Sequence, residues 1–299
     1  MALTPLFVSP CELAQKMPSL LADFLDLETS LHRRFREESI TDLLLASLVQ
    51  LADPNLIVFV PKNESKTGND FDILIVDPAS RQAVQYRLQA KRLKPHPTNW
   101  MIGSYAELAH PHGTGQQSLS LVRSAAAEKI KTIPLYAFYN PSRTCNAAGG
   151  IVSGVELADG RAVRSLVREL IRAKPKRPPL KRIATLQPLF FPLSTILCPH
   201  APYGDSGRRI PSPSGSIRSI SAAMDAASER FFGMPGTVPK TLLSDLSQSG
   251  HLARSGSVEV RGRFPPLLRE ALDRRFAETS DRIVPAKVRR PRVVLFSDG

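Results

Sequence analysis

The sequence predicts a mixed α/β protein in which a central sheet is flanked by helices. One observation is an apolar pattern at helical spacing within residues 18–35. The other is a series of short apolar segments with the character of strands, interrupted by one helical segment. Their order along the chain is helix, strand, strand, strand, helix, strand, which is a layered α/β arrangement.

Two helices are predicted near the amino terminus. Within 18–35 the apolar residues that recur near the helical period are Leu20, Leu21, Phe24, Leu25, Leu31 and Phe35. A second helix is expected to begin at Ser39 or Thr41, because Ser39 to Asp42 loosely match a capping box. The apolar run that follows predicts that this helix is well buried.

The strands are predicted at residues 56–60, 71–77 and 83–91, and a last one at 133–139. Residues 78–81 have turn chemistry, so the second and third strands should form a hairpin. The intervening helix is predicted at residues 117–131. These elements define a core at residues 1–145.

The pattern weakens in residues 146–299, a basic, Pro-rich C-terminal region that either folds separately or packs on the core. It contains a predicted amphipathic helix at 162–173 and a last strand at 292–297. Residues 239–254 and 265–279 are further helical candidates. The basic stretch 174–182 predicts a linker or an exposed arm, and residues 201–219 are loop-like.

The net charge of the chain is +13 and it is unevenly distributed. Residues 1–150 hold 15 Lys and Arg against 14 Asp and Glu, a net +1, whereas residues 151–299 hold 25 against 13, a net +12. A surplus concentrated in one half indicates a polyanionic partner, most plausibly a nucleic acid, either DNA or RNA. The alternative is a basic surface that only keeps the protein soluble.

Several classes of protein are disfavoured. No apolar run of about 18 residues predicts a membrane span, and the amino terminus lacks the pattern of a secretory signal. The three cysteines, Cys11, Cys145 and Cys198, form no CxxC pair, so we expect buried free thiols and a reducing cytoplasm. No phosphate-binding P-loop and no G-x-S-x-G nucleophile motif occurs.

Polar residues converge on the predicted hairpin. Asp70 and Asp72 stand at the start of one strand, Gln89 and Lys91 stand at the end of its partner, and Glu38 opens a helix. Side chains alternate along a strand, so each strand presents its pair on one face. A four-residue loop at 78–81 gives the pairs Asp77 with Gln82, Asp72 with Arg87, and Asp70 with Gln89. A loop of odd length would separate the acids from Lys91.

Such a cluster suits phosphodiester hydrolysis. Carboxylate oxygens bind a hard cation such as Mg²⁺, which polarises a phosphate and lowers the pKa of a bound water. A nearby lysine can orient the nucleophile and stabilise the charge that develops in the transition state.

Glu38, Gly68-Asn-Asp70 and Gln89-Ala-Lys91-Arg together resemble the PD-(D/E)xK nuclease superfamily, in the Gln-x-Lys variant of Mrr-type restriction endonucleases. The resemblance covers about residues 38–140 and implies a restriction-endonuclease-like core. It also implies that Asp70 and Gln89 bind Mg²⁺ or Mn²⁺, that Lys91 is catalytic, and that Glu38 completes the site. Restriction or anti-phage defence is the implied role. A homodimer is the implied assembly, since many such enzymes act as dimers to cut both strands. The spacing over these residues also resembles a bacterial family of uncharacterised proteins.

Some assignments within the site stay open. Asp72 is either an alternative or a second metal ligand beside Asp70. Gln89 is neutral, so metal affinity should be lower unless Glu38 or Glu64 compensates. His110 and His112 are a weak metal pair and favour a loop. Gln117 either faces the site or simply opens a helix.

Three functions are therefore carried forward. The first is a metal-dependent DNA endonuclease. The second is an inactive nuclease fold that binds nucleic acid, which the neutral Gln89 motivates. The third is a protein-interaction component, which the Pro-rich second half motivates.

Overall fold

A computed structural model of the chain describes residues 6–32, 35–49, 56–59, 68–77, 79–109, 111–112, 115–172, 178–198, 211–233, 251–260 and 292–296. The main element is a mixed β-sheet with helices packed on both of its faces. The predicted α/β class, a mixed sheet flanked by helices, is therefore confirmed. No helix within these ranges is both long and apolar enough to cross a membrane.

The helices in chain order are α1 (Pro10–Leu31), α2 (Glu37–Val49), α3 (Gln117–Ala126), α4 (Ser142–Ala147), α5 (Gly160–Arg172), α6 (Ile183–Leu186), α7 (Ser194–Leu197) and α8 (Pro213–Phe232). Short 3₁₀ turns occur at Trp100–Ile102, Pro178–Lys181 and Gln187–Leu189. The strands are β1 (Leu56–Phe59), β2 (Phe71–Asp77), β3 (Gln82–Arg92), β4 (Pro111–His112), β5 (Gly115–Gln116), β6 (Lys131–Tyr139), β7 (Val155–Asp159), β8 (Phe191–Pro192) and β9 (Arg292–Phe296).

Seven strands form the main sheet in the order β1-β9-β2-β3-β6-β7-β8. β2 and β3 form an antiparallel hairpin, and β6 runs parallel to β3 after the crossover through α3. Asp77 pairs with Gln82 and Asp72 pairs with Arg87, as the four-residue loop predicts. The carboxylate of Asp77 accepts hydrogen bonds from the backbone N–H groups of Ala79 and Ser80, which stabilises this turn.

The two faces of the sheet bury different helices. On one face α2 and α8 pack against the β2–β3 hairpin and α1 packs against β7, with Leu21, Leu44 and Ile220 among the fully buried residues. On the other face α3 and α5 cover β6 and β7, where Leu121 and Val163 are buried. The apolar cluster beneath α3 and α5 does not extend over the polar face of β3, where the candidate site lies.

Most element predictions are confirmed to within a few residues. β2 has the predicted limits, α3 begins where expected and ends at Ala126, and α1 begins earlier than predicted, at Pro10. α2 begins at Glu37, two residues before the earliest predicted start. The prediction of a loop at 201–219 is wrong from Pro213 onward, where α8 begins. Residues 201–210, 239–250 and 265–279 lie outside the described residues.

Residues beyond 145 belong to the same sheet as the predicted core. β7, β8 and β9 belong to that sheet, so the predicted boundary at 145 does not divide one sheet from another. β9 lies between β1 and β2, where it pairs antiparallel with the former and parallel with the latter. Of the two arrangements left open for the second half, these strands correspond to packing on the core.

The expectation of three free thiols is wrong for two of them. Cys11, at the start of α1, forms a disulfide with Cys198, which follows α7, and their Cα atoms are 4.6 Å apart. Cys145 is free and half-buried. The odd number of cysteines and their wide spacing in the sequence concealed this pair, because only the fold brings α1 beside α7. The bond also removes the thiol-based argument for a reducing cytoplasm, since disulfides are rare there.

Candidate functional site

The polar face of β3 carries the candidate site. Gln85, Arg87, Gln89 and Lys91 alternate with apolar residues along this strand, and none of the four is more than 3% exposed. Burial of four polar side chains in one row is costly unless each finds partners. The partners come from α2, from β2 and the residues just before it, and from Glu128 after α3, and they divide the row into two clusters.

The first cluster lies at the carboxyl end of β3, and we call it the Asp70 cluster: Glu37, Asp70, Gln89 and Lys91. One carboxylate oxygen of Asp70 accepts hydrogen bonds from Gln89 Nε2 and from the backbone N–H of Ala90, each at 2.6 Å. Asp70 is half-buried, whereas Gln89 is fully buried. The structure thus brings together Asp70, Gln89 and Lys91, which the sequence placed on one face of the hairpin.

The helix acid of this cluster is Glu37 and not the predicted Glu38. Glu37 Oε1 accepts a hydrogen bond from Lys91 Nζ at 3.2 Å, and its Oε2 accepts one from the backbone N–H of Arg92 at 2.8 Å. Glu38 is exposed. The helical period explains the difference, because Glu37 shares the stripe of the buried residues Thr41, Leu44 and Leu48, while Glu38 shares the exposed stripe of Asp42 and Ala46.

A second ion pair fixes the start of α2 against β3. Arg92 Nη1 donates to the backbone carbonyl of Phe35 at 2.5 Å, and its Nη2 pairs with Glu28 of α1. Thr41 and Tyr139 hydrogen bond through their side chains at 3.1 Å, which joins α2 to β6. These contacts hold the carboxylate of Glu37 in a defined position beside Lys91.

Burial changes the protonation equilibrium of Glu37. Desolvation raises the pKa of this carboxyl above its usual value of 4.5, and the exposed Glu107 raises it further. The ammonium of Lys91 and the N–H of Arg92 act in the opposite direction. Glu37 is therefore an acid whose charge depends on the lysine beside it.

The second cluster, which we call the Asp72 cluster, comprises Asn69, Asp72, Gln85, Arg87 and Glu128. Asp72 is fully buried and accepts hydrogen bonds from Asn69 at 2.8 Å and Gln85 at 2.7 Å, and it pairs with Arg87 at 3.3 Å. Arg87 also pairs with Glu128 at 2.6 Å. The donors around Asp72 include a buried guanidinium, so the arrangement is that of a structural ion pair. The sequence left Asp72 as either an alternative or a second metal ligand beside Asp70, and this geometry favours neither role.

Gly68 brings α3 close to Asp70. Its φ is +71°, and a Cβ at this position would lie 2.6 Å from the backbone carbonyl oxygen of Gln117. Gln117 opens α3, and its side-chain Oε1 is buried with no hydrogen-bond partner among the described residues. The first turn of α3 therefore packs directly on the loop that carries Asp70.

The ability of the cluster to hold a cation depends on oxygen ligands. Gln89 Oε1 is buried and has no hydrogen-bond partner within the described ranges, as is also true of Gln85 Oε1. A cation beside Asp70 would satisfy the Gln89 oxygen. Within the same ranges no three His, Cys, Asp or Glu side chains converge on a metal site. Glu64, His110 and the side chain of His112 lie outside the described residues.

Comparison with known proteins places the chain in a family. The chain belongs to a family of unknown function, DUF6615, whose profile matches residues 10–299. No curated protein and no solved structure matches it. Because the match extends through β7, β8 and β9, the family includes the whole sheet and not only the predicted core.

Proposed function

We propose that this protein is a metal-dependent nuclease of the PD-(D/E)xK type, in its Gln-x-Lys variant, which hydrolyses phosphodiester bonds in DNA. The observation that supports it best is the convergence of Asp70, Gln89, Lys91 and Glu37 at one end of the β2–β3 hairpin. These groups offer oxygen ligands and a buried cation within a single cluster.

The order of elements supports the same proposal. α2, β1, β2, β3, α3 and β6 follow one another as a helix, three strands, a helix and a strand, and β6 is parallel to β3. This is the order predicted from the sequence over the residues that resemble the PD-(D/E)xK superfamily. β9 is an addition between β1 and β2.

In this proposal Asp70 and Gln89 hold Mg²⁺ or Mn²⁺. The carboxylate supplies charge, and the carboxamide supplies a buried oxygen that has no hydrogen-bond partner in the described part of the chain. The cation would polarise the scissile phosphate and make a water more acidic. Glu37 is not assigned to the metal, because both of its oxygens already accept hydrogen bonds from Lys91 and Arg92.

Lys91 stabilises negative charge that develops on the phosphate. Its side chain is 3% exposed, so the low local dielectric strengthens its interaction with an anion. The ion pair with Glu37 holds the ammonium in place and keeps it from lying unpaired in the interior. Glu37 is therefore a positioning residue for Lys91.

The test is cleavage of plasmid and of linear DNA with Mg²⁺ or Mn²⁺. We expect wild type to cut, EDTA to stop cleavage, and Asp70→Asn or Lys91→Ala to reduce the rate at least about 100-fold. Asp77→Asn and Lys129→Ala are the matched controls, because Asp77 ends β2 away from the cluster and Lys129 is exposed before β6. Cleavage that survives in the Asp70 and Lys91 variants would refute this site.

An inactive nucleic-acid-binding module is the second candidate. Gln89 points its amide N–H at Asp70, so the carboxylate already has a neutral partner without any metal. Binding of DNA that is independent of Mg²⁺ and is accompanied by no cleavage would support this function. Isothermal titration with Mn²⁺ separates the two candidates, since only the enzyme should lose metal affinity when Asp70 becomes Asn.

A further inference from the structure

Three chain segments meet immediately beyond the Asp70 cluster. Lys94 follows Lys91 by three residues, and it exchanges two backbone hydrogen bonds with Ser104, at 2.8 and 3.0 Å. Ser104 forms a second antiparallel bridge with Arg182. A residue from the net-positive second half of the chain therefore lies two bridges away from the strand that carries the candidate lysine.

The position of this junction is fixed by the sheet and its core. The N–H of Leu93 donates to the carbonyl of Tyr139 at the end of β6, and the N–H of Tyr105 donates to the carbonyl of Lys181. Tyr105 is fully buried, and its hydroxyl donates to Asn140 Oδ1 at 2.6 Å. The junction is thus tied to the ends of β3 and β6, the same edge at which Asp70 and Lys91 lie.

The cations at this junction have no carboxylate partner among the described residues. Within the described ranges, none of Lys94, Lys181 and Arg182 forms an ion pair, and Lys181 Nζ instead donates to the carbonyl of Ala106 at 2.9 Å. By contrast Lys16, Arg87, Arg143, Arg161, Arg172 and Arg254 each pair with a carboxylate. Glu107, three residues after Ser104, is exposed.

We infer that Lys94, Lys181 and Arg182, which we call the basic junction, bind the phosphate backbone of a nucleic acid beside the candidate active site. Cations that have no protein carboxylate to neutralise them can neutralise phosphates, and release of the counterions of the nucleic acid then favours binding. The inference rests on the proposed nuclease function for its substrate class. It adds that the second half of the chain contributes directly to binding at the edge of the sheet where the Asp70 cluster lies.

The test compares two double variants that remove the same charges. Lys94→Gln/Arg182→Gln alters the basic junction, and Lys129→Gln/Arg218→Gln removes one exposed lysine and one exposed arginine from elsewhere. Fluorescence anisotropy in EDTA measures binding of a short duplex and a single strand over a series of salt concentrations. We expect the junction variant to bind about tenfold more weakly, with a log–log salt slope smaller by about two, and the control variant to resemble wild type.

The outcomes separate this inference from the proposed function. Equal affinities and salt slopes in the two double variants would overturn the inference, even if the wild type cuts DNA. Failure of the wild type to bind either nucleic acid at low salt would overturn it as well. Junction-dependent binding without any cleavage would support the inference and refute the nuclease. Equal melting temperatures of the two double variants would show that the difference in binding is not a loss of fold.

Discussion

The Asp70 and Asp72 clusters lie on one face of the same hairpin, yet their carboxylates have opposite surroundings. Asp72 is fully buried and meets a guanidinium and two amide side chains, and that guanidinium also meets Glu128. Asp70 is half-buried, and the partners described above are a carboxamide and a backbone N–H, both neutral.

The same residue type thus meets different surroundings at two positions that are two residues apart in the chain. The charge of Asp72 is balanced by a buried cation, which is what stability requires of a carboxylate without access to water. Asp70 accepts the hydrogen bonds described above from neutral donors, and in the proposed function it is the aspartate whose charge a divalent cation would use. Their positions explain the difference in burial, because Asp72 lies within β2 whereas Asp70 precedes this strand, where the sheet ends.

The largest expected effect is on stability, and it tests the structural role of Asp72. Asp72→Asn should lower the free energy of unfolding by about 3 kcal/mol, because Arg87 would stay buried with only Glu128 to balance it. Urea unfolding measures the change. Asp225→Asn is the control, since its pair with Arg254 is 40% and 52% exposed and should contribute less than about 1 kcal/mol. Similar losses in both variants would mean that Asp72 stabilises the fold no more than an exposed ion pair does.

Asp70→Asn should give the reverse result. We expect cleavage to fall at least about 100-fold, while the free energy of unfolding changes by less than about 1 kcal/mol. The reason is that Asp70 is half-buried and its hydrogen bonds described above come from a carboxamide and a backbone N–H, whereas Lys91 pairs with Glu37. Kinetics and urea unfolding on the same preparation check both parts. A stability loss as large as that of Asp72→Asn would mean that both aspartates are structural.

Gly68→Ala should damage the loop on which both clusters depend. We expect a loss of about 2 kcal/mol, from the positive φ and from a Cβ that would lie 2.6 Å from the Gln117 carbonyl oxygen. Gly150→Ala is a matched control, because its φ is +82° but no atom lies within 4 Å of the added Cβ. The difference between the two melting temperatures measures the packing of α3 on this loop. Equal losses would show that this packing contributes nothing.

The smallest expected effect is on pH dependence. Burial raises the pKa of Glu37 above 4.5, so its contribution to stability is present at low pH and is lost as the pH rises through the raised pKa. Over the same pH interval Glu37 becomes the carboxylate anion that pairs with Lys91. The rate should therefore have an acid limb above the usual carboxylate range, and Glu37→Gln should abolish or shift it. Glu38→Gln should leave the pH–rate profile unchanged, and a shift there would return the role to Glu38.

The hairpin was the most predictable part of the molecule. Alternation of side chains and a four-residue turn were sufficient to place Asp72 opposite Arg87 and to set Gln89 and Lys91 on the face of the acids. Register follows from local rules, since a shift of one residue would have buried the wrong face. The sequence did not resolve which aspartate is buried, because that depends on how far the sheet extends.

Other features required tertiary information or a closer use of helix rules. Glu37 was missed by one position because the predicted helix began too late, although Thr41, Leu44 and Leu48 already define its inner stripe. α8 was hidden by a Ser-Pro-Ser-Gly sequence that resembles a loop. Ser212 in fact caps this helix, accepting a hydrogen bond from the N–H of Gly215 at 3.1 Å, with Pro213 in the first turn.

The place of β9 in the sheet has a consequence for biosynthesis. Asp72 lies in β2 and Asp70 immediately precedes this strand, whose outer neighbour comes from residues 292–296. On a ribosome, the hairpin would emerge long before that neighbour, with one edge of β2 open to other strands. A partly made chain should therefore need protection from aggregation, and truncation before residue 292 should cost solubility even though it removes no member of either cluster.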